Sequence, residues 1–224
     1  MTKANRNILV LACVAVAVLA AIPLGLPLVL DVDGDDLSRD IADTARLPWW
    51  TGALSLLALM LWAAAAAICA LTALAIKGRE PERSRFLFGT AALLVAVAVD
   101  DALQLHETVA PEELGVPESA ADVVLALAAS LWLASFWRQV LATRVWVLGL
   151  SVVFFAGSLL SDVLVIGPTA AEDWLKNSGI AILLLWCGDT ALQALRAAEA
   201  TPGDALSEPR PRRGPAGATP PPAR

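Results

Sequence analysis

Histidine is nearly absent from this chain, cysteine is sparse, and charge is thin. The one histidine, His106, excludes a haem held by two axial histidines of this chain, and a zinc site built on several of them. The three cysteines, Cys13, Cys69 and Cys187, stand isolated in apolar runs, with no Cys-x-x-Cys pair. That argues against a thiol–disulfide enzyme, and each cysteine reads as a small buried residue. No Gly-x-Ser-x-Gly nucleophile elbow occurs. Charged residues make up only 17% of the 224 positions, against about a quarter in soluble domains. An ordinary soluble domain is thereby excluded. With a net charge of −6 and scattered Lys and Arg, no nucleic-acid partner is expected.

What the chain has is apolar length: 58% hydrophobic residues and a mean hydropathy of +0.67. Six runs, about 8–30, 51–76, 86–105, 119–137, 145–166 and 174–195, are each long enough to approach or cross a hydrocarbon core of about 30 Å. Lipid offers no partner to open backbone groups, so each is expected to be helical. The expected fold is all-α: a six-transmembrane-helix bundle over 1–200 with short loops, its main partner the lipid bilayer. A protein partner or a homo-oligomer is compatible with it. The first run is too long for a usual signal-peptide core, so it is expected to be retained. Residues 201–224, rich in Pro, Gly, Ala and Arg, have nothing to build a core with and read as a disordered tail.

Lys3 and Arg6, Lys77 to Arg85, Arg138 and Arg144, and Arg196 to Arg213 fall in alternate connections. The positive-inside rule then puts both termini on the cytoplasmic side of the membrane. Trp49, Trp50 and Trp174 fall at the outer interface and Trp137 and Trp146 at the inner one. An acidic stretch, Asp31 to Asp36, resembles the start of a calcium loop but carries Asp36 where glycine is needed and Ala42 where glutamate is needed. It reads as a solvated acidic loop.

Ionisable groups inside apolar spans are costly and therefore mark candidate sites. At about 1.5 Å of rise per residue, Asp100 and Asp101 lie about 21–23 Å above the inner end of the third span, and His106 and Glu107 about 30 Å above it. Asp162 in the fifth span and Lys176 in the sixth fall at about 24–29 Å by the same count. Three helices thus place polar groups in one outer-leaflet layer. In an uninterrupted helix Asp100, Gln104 and Glu107 share a face, whereas His106 points elsewhere. The candidate site is Asp100, Asp101, Gln104, His106, Glu107, Asp162, Glu172 and Lys176. Carboxylates with one imidazole suit a divalent metal, with His106, Glu107 and Asp162 as the expected set, or proton transfer. No thiolate ligand is expected. The alternatives are structural: a helix end at His106 and Glu107, a capping box at Thr169 to Glu172, and a Glu172–Lys176 i, i+4 pair.

Asp100-Asp-Ala-Leu-Gln104 echoes in Asp189-Thr-Ala-Leu-Gln193. An inverted repeat of three and three spans would place the intramembrane acid Asp189 and Asp100 symmetrically. The plainer reading pairs Asp189 with Arg138 or Arg144.

The run DDALQLHE at 100–107, with EDWLKNSGI at 172–180, resembles a set of small bacterial multi-pass membrane proteins. These carry an Asp-(Asp/Glu)-x4-His-Glu motif at the end of one helix and an acidic, lysine-bearing start to a later one. The resemblance covers the third to sixth spans and implies shared architecture and a shared polar layer at Asp100, Asp101, His106, Glu107, Glu172 and Lys176. It implies no reaction. Three functions follow as expectations: a metal-binding or acid–base site facing outward, a small proton- or cation-coupled carrier, or a non-catalytic scaffold.

Overall fold

A computed structural model describes residues 16–17, 45–48, 51–113, 115–163 and 169–200. The chain divides into two units, Met1–Ala53 and Leu54–Arg224. In the first, residues 16–17 are helical; the rest of the expected span 8–30 lies outside the described residues, as does the tail 201–224. The second unit carries the long helices.

The described chain is helical and holds no strand among the described residues. It runs α1 (Ala53–Ile76), α2 (Pro81–Leu103), a π-helical segment (Leu105–Glu113), α3 (Glu118–Leu141), α4 (Val145–Val163) and α5 (Thr169–Ala200). Among the described residues four helices are long and apolar enough to cross a membrane: Ala53–Ile76, Pro81–Leu103, Val123–Leu141 and Glu172–Ala200. The fifth expected span contains a shorter apolar helix, Val145–Ser161.

The boundaries differ from expectation for local reasons. Pro81 sits in the first turn of α2, where its missing N–H costs no hydrogen bond. The helix therefore begins ahead of the apolar run and carries Glu82, Arg83 and Arg85 in its opening turns. At the other end α2 stops at Leu103, because Gln104 adopts a left-handed conformation (φ 49°, ψ 43°) and its N–H donates to the Asp100 carbonyl. The chain then widens into the π-helical segment, where the Val109 N–H donates to the Gln104 carbonyl at 3.2 Å. α3 bends at Phe136 (φ −121°, ψ 17°).

Facing in this bundle follows side-chain size. On α1 the buried residues are Ala58, Trp62, Ala65, Ala66, Cys69, Thr72, Ala73 and Ile76, mostly small and spaced three or four apart. Leu56, Met60, Leu71 and Leu74 of the same helix are more than half exposed. Where the surroundings are apolar, burial of apolar surface gives little drive, and close approach through small residues decides which face turns inward. Among the candidate spans α5 is the most buried and α3 the least.

Polar and aromatic contacts join the helices. Ser84 Oγ donates to the Ala73 carbonyl at 2.8 Å (α2 to α1) and Ser151 Oγ to the Gly179 carbonyl at 2.8 Å (α4 to α5). Trp62 stacks on Phe155 at 5.8 Å. Phe86, Trp132, Phe136 and Trp186 form a ring cluster with centroid separations of 5.7–6.4 Å. Two glycines permit the closest approaches. A Cβ on Gly89 would stand 2.6 Å from the Phe136 ring, and one on Gly179 3.2 Å from Phe155. Trp137, Trp146 and Trp174 are largely exposed; Trp49 and Trp50 lie outside the described residues.

Candidate functional site

The C-terminal end of α2 and the N-terminal part of α5 bring opposite charges together. Lys176 Nζ donates to Asp101 Oδ1 at 2.5 Å, with side-chain exposures of 35% and 15%. Of the two expectations for Lys176, membership of the polar layer with Asp101 and an i, i+4 pair with Glu172, the contact formed is the one to Asp101. The lysine turns across the helix interface instead, because a half-buried carboxylate offers a better partner than the apolar rim. The other oxygen of that carboxylate, Asp101 Oδ2, is buried with no hydrogen-bond partner among the described residues, and so is Asn177 Oδ1. Asp100 is 8% exposed. Adjacent acids on a helix diverge by about 100°, so both are covered only because neighbours close on two sides of α2.

The break at Gln104 changes the rest of the layer. Gln104 is exposed rather than inward-facing. The single face expected for Asp100, Gln104 and Glu107 does not form, since the i, i+4, i+7 register holds only in an unbroken α-helix. His106 and Glu107 ride on the π-helical segment, a backbone form found often at functional positions. The side chains of His106, Glu107 and Asp162 lie outside the described residues. Glu172 stands in the first turn of α5, and its carbonyl accepts from Ser158 Oγ at 3.3 Å. Among the described residues no three His, Cys, Asp or Glu side chains converge for a metal.

Asp189 follows the plainer expectation. Arg144 Nη1 lies 3.4 Å from its Oδ1, and Gln193 Nε2 donates to its Oδ2 at 2.6 Å. The two stretches of the echo, 100–104 and 189–193, differ in backbone. The first copy terminates a helix, whereas the second lies inside α5.

Sequence reasoning missed one pairing. Cys69 of α1 and Cys187 of α5, both wholly buried and both free, are neighbours where the two helices meet. Each stands on the small-residue face of its helix, with alanines at i+4: Ala73 on α1 and Ala191 on α5. Those two stripes were the only available signal. Cys13 lies outside the described residues.

These features define a helical protein with candidate membrane-spanning helices and a charged pair between two of them. The chain belongs to the family described as Domain of unknown function (DUF8692), whose model matches residues 8–190. Neither a curated protein nor a solved structure matches it.

Proposed function

We propose that the chain is a multi-pass protein of the bacterial inner membrane with both termini cytoplasmic, and that its outer-leaflet polar layer is an acid–base site centred on Asp101. One observation carries this reading: Asp101 has one oxygen on Lys176 Nζ at 2.5 Å and the other buried without a partner among the described residues. An unmet buried acceptor costs about 1–3 kcal/mol, which a proton, a water or a small cation on Oδ2 offsets. The ammonium of Lys176 fixes the carboxylate in place, and Asp100 supplies a second acid on the same turn. The other sequence candidates, His106, Glu107, Asp162 and Glu172, are proposed as members of the same site.

The test is reconstitution of the purified full chain into vesicles holding a pH-sensitive dye, with a potassium diffusion potential as the driving force. Wild type is expected to take up protons, and Asp101→Asn to lose most of that uptake at unchanged helical content. Metal analysis of the same preparation decides between proton transfer alone and a metal held by His106, Glu107 and Asp162. In the metal case His106→Ala removes the bound ion and leaves the fold. A wild type that moves no protons and carries no stoichiometric metal refutes the site and leaves a membrane scaffold.

A further inference from the structure

At the opposite end of the bundle a cavity of about 280 Å³ opens between the first turns of α2, the end of α3 and the middle of α5. It lies just under the roughly 300 Å³ at which small-ligand pockets usually begin, which suits a headgroup rather than a whole molecule. Its walls carry both charges, Arg83 and Arg138 against Glu80 and Glu82, over an apolar floor that includes Phe86. The Arg138 guanidinium packs over the Trp137 ring at 5.5 Å, at the rim.

Thr190 supplies the second observation. It lines the cavity, is 6% exposed, and its Oγ1 is buried without a hydrogen-bond partner among the described residues. A helical threonine ordinarily bonds back to the preceding turn, as Thr90 does to the Phe86 carbonyl at 2.9 Å. Thr143, also on the wall, is committed twice: it donates to the Val140 carbonyl and accepts from Trp186 Nε1. Thr190 alone of these hydroxyls is uncommitted.

We propose that this cavity binds the headgroup of a zwitterionic phospholipid, one bearing a phosphoryl and an ammonium group. The arginine forks match phosphoryl oxygens, the Thr190 hydroxyl adds a donor, and the acidic side of the wall faces the ammonium. A bilayer lipid fits better than a free phosphate ester. The cavity lies where α2 begins and α3 ends, beside the exposed apolar Trp137 and Leu141, and arginine-bearing pockets between membrane helices hold phospholipid headgroups elsewhere. This inference is independent of the Asp101 site.

The test heats the full chain in detergent micelles with rising dihexanoyl phosphatidylethanolamine, dihexanoyl phosphatidylglycerol or glycerophosphoethanolamine. Phosphatidylethanolamine is expected to raise the unfolding midpoint saturably. The other two should need about tenfold more, the worth of one charged hydrogen bond. Arg83→Gln with Arg138→Gln should weaken the response by at least about tenfold. Thr190→Val, isosteric and safe for the fold, should raise the lipid-free midpoint while shrinking the lipid-induced shift, and it decides the matter if the double variant does not fold. No shift in wild type, an equal response to phosphatidylglycerol, or a full response in Thr190→Val overturns the proposal. An equal response to glycerophosphoethanolamine overturns the lipid as its source.

Discussion

Two nearly identical five-residue stretches, 100–104 and 189–193, meet opposite fates in this molecule. In the first, the backbone leaves the α-helix at Gln104, and the acid beside Asp100 is tied to a lysine of another helix in a half-buried setting. In the second, the helix continues through Gln193, which itself holds Asp189, and the ionic partner is Arg144, 61% exposed. Local sequence is almost constant between them, so the difference belongs to the surroundings. A carboxylate with water at hand needs no fixed partner, whereas one between packed helices must be given one. The Asp101–Lys176 pair is therefore expected to matter more to the fold than the Arg144–Asp189 pair.

The largest effect should come from Lys176→Met. In the proposed membrane setting it strands the Asp101 carboxylate, where an unpaired acid costs about 2.5–3.5 kcal/mol; reversible unfolding in mixed micelles measures it. Adding Asp101→Asn to that variant should recover most of the loss, because the penalty lies in the unpaired charge. A double variant no more stable than Lys176→Met would break the comparison.

The backbone half of the contrast predicts opposite signs for one substitution. Gln104→Gly relieves a left-handed conformation and should stabilise by about 1 kcal/mol. Gln193→Gly, inside α5, should destabilise by about 1 kcal/mol, with the lost bond to Asp189 added. Equal signs in the same unfolding assay would mean that the two stretches are less different than their dihedrals. The smallest effect is assigned to Arg144→Gln. An exposed ion pair contributes about 0–1 kcal/mol, so its unfolding midpoint should stay close to wild type at high salt.

Much of this was legible in the residues. Runs of apolar length marked out four of the candidate spans to within a few residues at most ends, because crossing a hydrocarbon layer is a requirement on length and composition alone. Charge within apolar runs flagged Asp101 and Lys176 by the same logic, and proximity to a helix end offered Asp189 either Arg138 or Arg144, of which the structure pairs Arg144. Residue type could not say which way each charge turns. Lys176 chose Asp101 over Glu172, four residues away on its own helix, through the packing of α2 against α5. Nor did the apolar pattern predict facing, since α1 is apolar on all sides. Its small residues, Ala65, Cys69 and Ala73, turn inward, and only that packing brings Cys69 to Cys187.

By itself, then, the sequence determined helical class, candidate spans and which residues carry an energetic problem, all properties of a segment and its solvent. Tertiary structure alone decided how each problem was met: where α2 stops, which cation Asp101 holds, which thiols adjoin, and which hydroxyl is left open at Thr190. These depend on the rotation of one helix against another. A turn of 100° per residue makes a single break, such as that at Gln104, enough to redirect every side chain beyond it.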